Sequence, residues 1–177
     1  MDDYGVTGAT VEVQVLVGVR VEEVWRAITD VAGYGRWSPE CVYGAWMDGA
    51  DGPAVGAWFE ARNEFADGFK TEVQCRVTVA EEPVRFGWDV FGGEDLPFAH
   101  WEYELVGRGE ETLIRQWFTH GPGDSGMRRT VLADAGRAEE SKQRRLNELG
   151  RNMELTIAAM VRASGNCTRS GLSRLID

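Results

Sequence analysis

The chain has 177 residues, 43% of them hydrophobic and 10% aromatic, with a formal net charge of −10 at pH 7. That length suits one domain with its own core, and the apolar content excludes a disordered chain. The acidic balance argues against a nucleic-acid partner, since phosphates would be repelled, and no apolar run approaches the roughly 20 residues of a membrane span.

The charge is uneven: residues 127–177 carry ten Lys and Arg against six Asp and Glu. On a long amphipathic helix such cations read first as a solvated face. The start, Met1-Asp2-Asp3-Tyr4-Gly5, lacks the basic and then apolar regions of a signal peptide. Cys41, Cys75 and Cys167 are odd in number and form no CxxC pair, which fits reduced thiols in a cytoplasmic protein.

Taken in order, residues 1–9 read as an N-terminal tail. Residues 10–20 alternate, with Val11, Val13, Val15, Val17 and Val19 on one side, which predicts a half-buried strand. Residues 21–29 change to helical spacing through Val21, Val24, Trp25 and Ile28, and 30–34 predict a second short helical turn. Pro39 pushes Ser38 out of helical geometry and closes that unit. A short strand over 42–47 follows, then a turn over 48–53 rich in Asp and Gly. Residues 56–65, 71–80, 85–91, 98–106 and 112–120 predict five longer strands. Their short, turn-rich separators imply an antiparallel meander, for about seven strands in all. Residues 121–138 lose periodicity and read as a glycine-rich loop. The last element is a long helix over 139–163, with Leu146, Leu149, Met153, Ile157, Met160 and Val161 on one face. Gly165 stops it, and residues 165–177 read as a C-terminal tail after a single domain over 10–164.

An α+β order of strand, two short helices, a strand meander and one long C-terminal helix is that of the helix-grip fold. The chain resembles the SRPBCC superfamily, which includes START, Bet v 1 and polyketide cyclase/dehydrase relatives, and in particular small actinobacterial members. The likeness is carried by Val21-Glu22-Glu23-Val24-Trp25 leading into Asp30, Trp37-Ser38-Pro39-Glu40, Gly56 with Phe59 and Asn63, and Thr71 through Val77. It continues in Phe86-Gly87-Trp88, Gly121-Pro122-Gly123 with Ser125-Gly126, and Asn152-Met153. The resemblance implies an apolar cavity between a concave sheet and the long helix, with the glycine-rich loop near its mouth. Its functions span lipid carriers, cyclases, receptors and self-resistance proteins, so it specifies the fold more sharply than the activity.

If the valines of the first strand point inward, alternation elsewhere gives a lining of Phe59, Asn63, Cys75, Phe86, Trp88, Trp101, Tyr103, Gln116, Phe118 and His120. Met153, Ile157 and Met160 would close the cavity from the helix, though core packing explains them equally well. Asn63, Gln116, His120 and Tyr103 are the polar candidates, either hydrogen-bonding a ligand or satisfying their neighbours; Tyr103 and His120 are the catalytic candidates. Related sequences often carry an acidic residue near the Gln116 position, and an amide there cannot take a proton. His100 has the outward strand phase. Gly123-Asp124-Ser125-Gly126 imitates a protease nucleophile motif but lacks any recognisable scaffold or triad partners. The sequon Asn166-Cys167-Thr168 is idle in a cytoplasmic chain. No phosphate loop, dinucleotide fingerprint or zinc spacing is present, so no cofactor or metal is expected.

The leading expectation is a monomer or homodimer that binds a hydrophobic small molecule, a polyketide-like natural product or a lipid, without nucleic acid or stable membrane insertion. The alternatives are a cofactor-independent polyketide aromatase/cyclase promoting aldol closure, and a self-resistance protein that sequesters a reactive product in antibiotic biosynthesis.

Overall fold

The computed structural model describes residues 3–164. The alternating valines form β1 (Thr10–Val17), and the helical spacing after it forms α1 (Val21–Thr29), which buries Val24, Trp25 and Ile28. A four-residue α2 (Tyr34–Trp37) leads into β2 (Cys41–Trp46), β3 (Trp58–Glu64), β4 (Lys70–Glu81), β5 (Arg85–Phe91), β6 (Ala99–Arg108) and β7 (Glu111–His120). Then come α3 (Gly126–Ala133), a 3₁₀ turn (Ala135–Arg137) and α4 (Ala138–Ala163). The seven strands make one antiparallel sheet in the order β1-β7-β6-β5-β4-β3-β2. This is the helix-grip fold, with α4 lying against β1, α1, α2 and α3.

Register explains why one face of the sheet is apolar. Phe59, Cys75, Val90, Ala99 and His120 pair across five successive strands. Val77, Trp88, Trp101, Phe118 and Val11 form the next row, and Phe86, Tyr103, Gln116 and Val13 another. A register shift between Val77 and Val79 brings Ala80 opposite Phe86. Such a bulge bends a strand and so helps curve the sheet. Rings then meet edge to face, as in Phe59 with Trp88 at 5.9 Å and Trp25 with Phe86 at 6.2 Å. A Cβ on Gly44 would come within 2.3 Å of the Val31 carbonyl oxygen, so only glycine lets β2 lie this close to the turn after α1.

Four expectations need correction. β1 stops at Val17 rather than residue 20, because its last partner on β7 is Thr112, at the start of that strand. The second short helix falls at Tyr34–Trp37 rather than 30–34, since the Asp30 carboxylate accepts from Gly33 N–H and holds a turn there. Residues 121–138 are not all loop: Ser125 caps α3 by accepting from Arg128 N–H at 3.0 Å. Nor are residues 3–9 a loose tail. Val6 is fully buried with Val131 and Ala138, and Gly8 N–H donates to His120 O at 2.8 Å. The segment over 165–177, with Cys167 and its sequon, lies outside the described residues. Among those described, no helix is long and apolar enough to cross a membrane.

Candidate functional site

Between the concave sheet face and α4 lies an open pocket of about 590 Å³. Eleven of the residues expected there border it: Phe59, Asn63, Cys75, Phe86, Trp88, Trp101, Tyr103, Gln116, Phe118, His120 and Met153. Ile157 and Met160 do not. The pocket follows α4 only from Ser141 to Thr156, and these two lie just past that end, 0% and 4% exposed, in the filled part of the core.

Most polar groups facing the pocket are spoken for. Asn63 donates from Nδ2 to Thr71 Oγ1 at 3.1 Å. Tyr34 donates its phenolic proton to Ile28 O at 3.0 Å. Two are not. Tyr103 is fully buried and Gln116 is 4% exposed, yet Gln116 Oε1 has no hydrogen-bond partner, and Tyr103 Oη has none of normal geometry, only the nearby Tyr34 hydroxyl that is already committed to Ile28 O. They are directly paired on β6 and β7. A buried polar group left unpaired costs about 1–3 kcal/mol, so two side by side on an aromatic wall call for a partner from outside the chain. Burial pushes the Tyr103 phenol up, only partly offset by the facing Tyr34 hydroxyl, so Tyr103 is a proton donor throughout the neutral range.

His120 is 2% exposed, and its tautomer follows from its partners. Nδ1 lies 2.7 Å from the Gly121 carbonyl, which can only accept, so Nδ1 carries the proton. Nε2 is then an acceptor, and the Ser125 hydroxyl donates to it at 2.6 Å. Desolvation lowers the His120 pKa, and Arg128 nearby adds to that, against the opposing pull of the Gly121 carbonyl. In the unfolded chain the imidazole titrates near its ordinary 6.5, so below that the unfolded state binds the extra proton first. This contribution to stability is therefore complete above the unfolded value and lost as pH falls through the lower folded one. Urea midpoints measured from about pH 7.5 to about pH 5 should decline, and His120→Asn should flatten that decline.

A charged cluster at the helix side has no periodic signature in the sequence. Ser38 Oγ accepts from the N–H groups of Glu40 and Cys41, which turns Glu40 toward α4. Its carboxylate takes both forks of Arg145, at 2.6 and 2.8 Å, and Nδ2 of Asn152 at 2.9 Å. Arg145 also reaches Glu148 at 2.7 Å and lies over the Phe65 ring at 5.4 Å. Arg145 and Asn152 thus belong to the pocket wall instead of the solvated face. The only signal available was the Glu40 and Asn152 positions already quoted for the family resemblance.

No group of three or more His, Cys, Asp or Glu among the described residues is placed to hold a metal. Comparison with curated proteins found no match. Among solved structures, the Polyketide_cyc-like protein Cgl2372 of Corynebacterium glutamicum is 25% identical, with a TM-score of 0.62 over 91% of this chain and 97% of that one. NE0264 of Nitrosomonas europaea shares 16% identity at a TM-score of 0.61, covering 86% and 92%. The Zhui aromatase/cyclase of Streptomyces sp. R1128 shares 14% at 0.61, covering 92% and 96%; these last two likenesses speak to fold alone. The family model described as polyketide cyclase / dehydrase and lipid transport matches residues 8–154, from the approach to β1 into the pocket-lining stretch of α4. The chain belongs to that family, within the SRPBCC superfamily.

Proposed function

We propose that this protein binds one hydrophobic small molecule of polyketide or lipid type, an apolar body with a polar end that both accepts and donates hydrogen bonds. The observation that carries this is the Tyr103 and Gln116 pair. Tyr103 Oη and Gln116 Oε1 are without a partner of normal geometry, adjacent, and set in a pocket walled by Phe59, Phe86, Trp88 and Phe118. A phenol donor beside an amide acceptor suits a carbonyl next to a hydroxyl, as in a hydroxylated aromatic ketone.

Binding is favoured over ring closure because the His120 lone pair faces Ser125 rather than the pocket, and Gln116 cannot carry a proton. The test is a titration followed by tryptophan fluorescence, since Trp88 and Trp101 border the pocket. A hydroxylated naphthyl ketone should saturate at one per chain and be recovered unchanged. The matching naphthalene hydrocarbon should bind about tenfold more weakly for each hydrogen bond lost. Equal affinity for the two would sink this reading, and conversion of a linear poly-β-ketone into a ring would favour the cyclase.

A further inference from the structure

The Gly-Asp-Ser-Gly stretch has no protease scaffold around it, yet the fold gives its serine a histidine. Ser125 Oγ donates to His120 Nε2 at 2.6 Å, and His120 Nδ1–H is held by Gly121 O at 2.7 Å. That is the order nucleophile, base, orienter, with a backbone carbonyl as the third member. The loop that makes it is braced. Arg128 donates to Gly121 O at 3.1 Å and to Gly123 O at 3.2 Å, and is anchored by Asp3 at 3.0 Å. A Cβ on Gly121 would fall 2.3 Å from Pro97 O, so the loop lies directly on the segment before β6.

Ser125 borders both the main pocket and an adjoining recess of about 230 Å³ edged by Gly92, Leu96 and Arg129. Its oxygen also accepts from Arg128 N–H, which favours developing negative charge on it. The N–H groups of Gly126 and Met127, first in α3, meet no acceptor among the described residues. As the first N–H groups of a helix they are left free to donate to an oxyanion formed next to Ser125. The neutral state of His120 is the one a general base needs.

We propose that Ser125 and His120 form a nucleophile and base pair that takes the acyl group of an apolar ester or thioester lodged in the pocket. A bond forms between Ser125 Oγ and the acyl carbon while the carbon–oxygen or carbon–sulfur bond to the leaving group breaks. The hydroxyl proton passes to His120 Nε2 and from there to the departing alkoxide or thiolate. The products are acyl-serine and a free alcohol or thiol. Water then gives a proton to His120 Nε2 as its oxygen bonds to the acyl carbon; the bond from that carbon to Ser125 Oγ breaks, and the proton passes from His120 to Oγ, releasing a carboxylic acid and restoring the Ser125 hydroxyl. No electrons change hands. With a carbonyl in place of a carboxylate behind the histidine, the second half is slow and the acyl group accumulates.

The test uses the full chain and p-nitrophenyl butyrate. Expected are a burst of about one equivalent of p-nitrophenol and a single butyryl adduct mapped to Ser125. Ser125→Asn keeps a good helix cap but has no hydroxyl, and should melt like the parent while losing the adduct. His120→Gln should slow labelling about 100-fold. No burst, an adduct mapped to a lysine, tyrosine or cysteine, or equal labelling of Ser125→Asn would overturn the proposal. Should Ser125→Asn fail to fold, the mapped site in the parent protein decides alone. The ketone titration above is independent of this outcome, so loss of acylation with intact binding rejects only the dyad.

Discussion

Met153→Trp should yield a folded protein that no longer takes up ligand. Met153 is 2% exposed on the stretch of α4 that borders the pocket, near Leu149, Asn152 and Thr156. In a filled core a residue this much larger overpacks and costs about 1–3 kcal/mol. Here about 590 Å³ stands open beside the side chain, more than an indole fills. The same indole occupies the volume a ligand needs. Affinity for the naphthyl ketone should fall at least about 100-fold, or about 2.7 kcal/mol, while the melting temperature stays within a few degrees. Loss of stability with binding retained would mean that the wall at Met153 is solid.

Tyr103→Phe should move stability and affinity in opposite directions. The ring is fully buried and its hydroxyl makes no hydrogen bond of normal geometry, facing only a Tyr34 hydroxyl already committed to Ile28 O, so deleting the oxygen costs little within the chain and relieves a desolvation penalty. The unliganded protein should gain about 1 kcal/mol, read as a higher urea midpoint at unchanged slope. A ligand whose carbonyl accepts from Tyr103 should bind about tenfold more weakly, and its hydrocarbon counterpart should be unaffected. Because burial keeps the phenol protonated, the parent protein's affinity should be flat from about pH 6 to about pH 9. A Tyr103→Phe protein that is less stable would show that the hydroxyl serves the fold.

What could be read from sequence was whatever depends on period. Alternation of Val13, Val15 and Val17 identified the buried face of β1, and the same parity carried across the meander to Phe59, Cys75, Trp88, Tyr103 and Phe118. Spacing of three and four located α4 and its Leu146, Leu149 and Met153 stripe. The features missed depend on contacts between distant segments. α3 has a single buried residue, Val131, whose partners Val6 and Ala138 lie on other elements, so its own pattern is faint. Arg145 looks solvated until Glu40, 105 residues earlier, closes on it. Ile157 and Met160 share the face of Met153 but lie beyond the end of the pocket, and periodicity holds no information on where a cavity stops. Ser125 and His120 are five residues apart, yet their meeting rests on how a glycine loop folds over Pro97. A tetrapeptide match says nothing of that.

The most direct test of a ligand-holding pocket is native mass spectrometry of the freshly purified protein beside Met153→Trp, each with added naphthyl ketone. Expected are a one-to-one noncovalent complex for the parent protein and the bare chain for the variant. Two species that bind alike, or a parent protein that stays bare at saturating ketone, would contradict such a pocket.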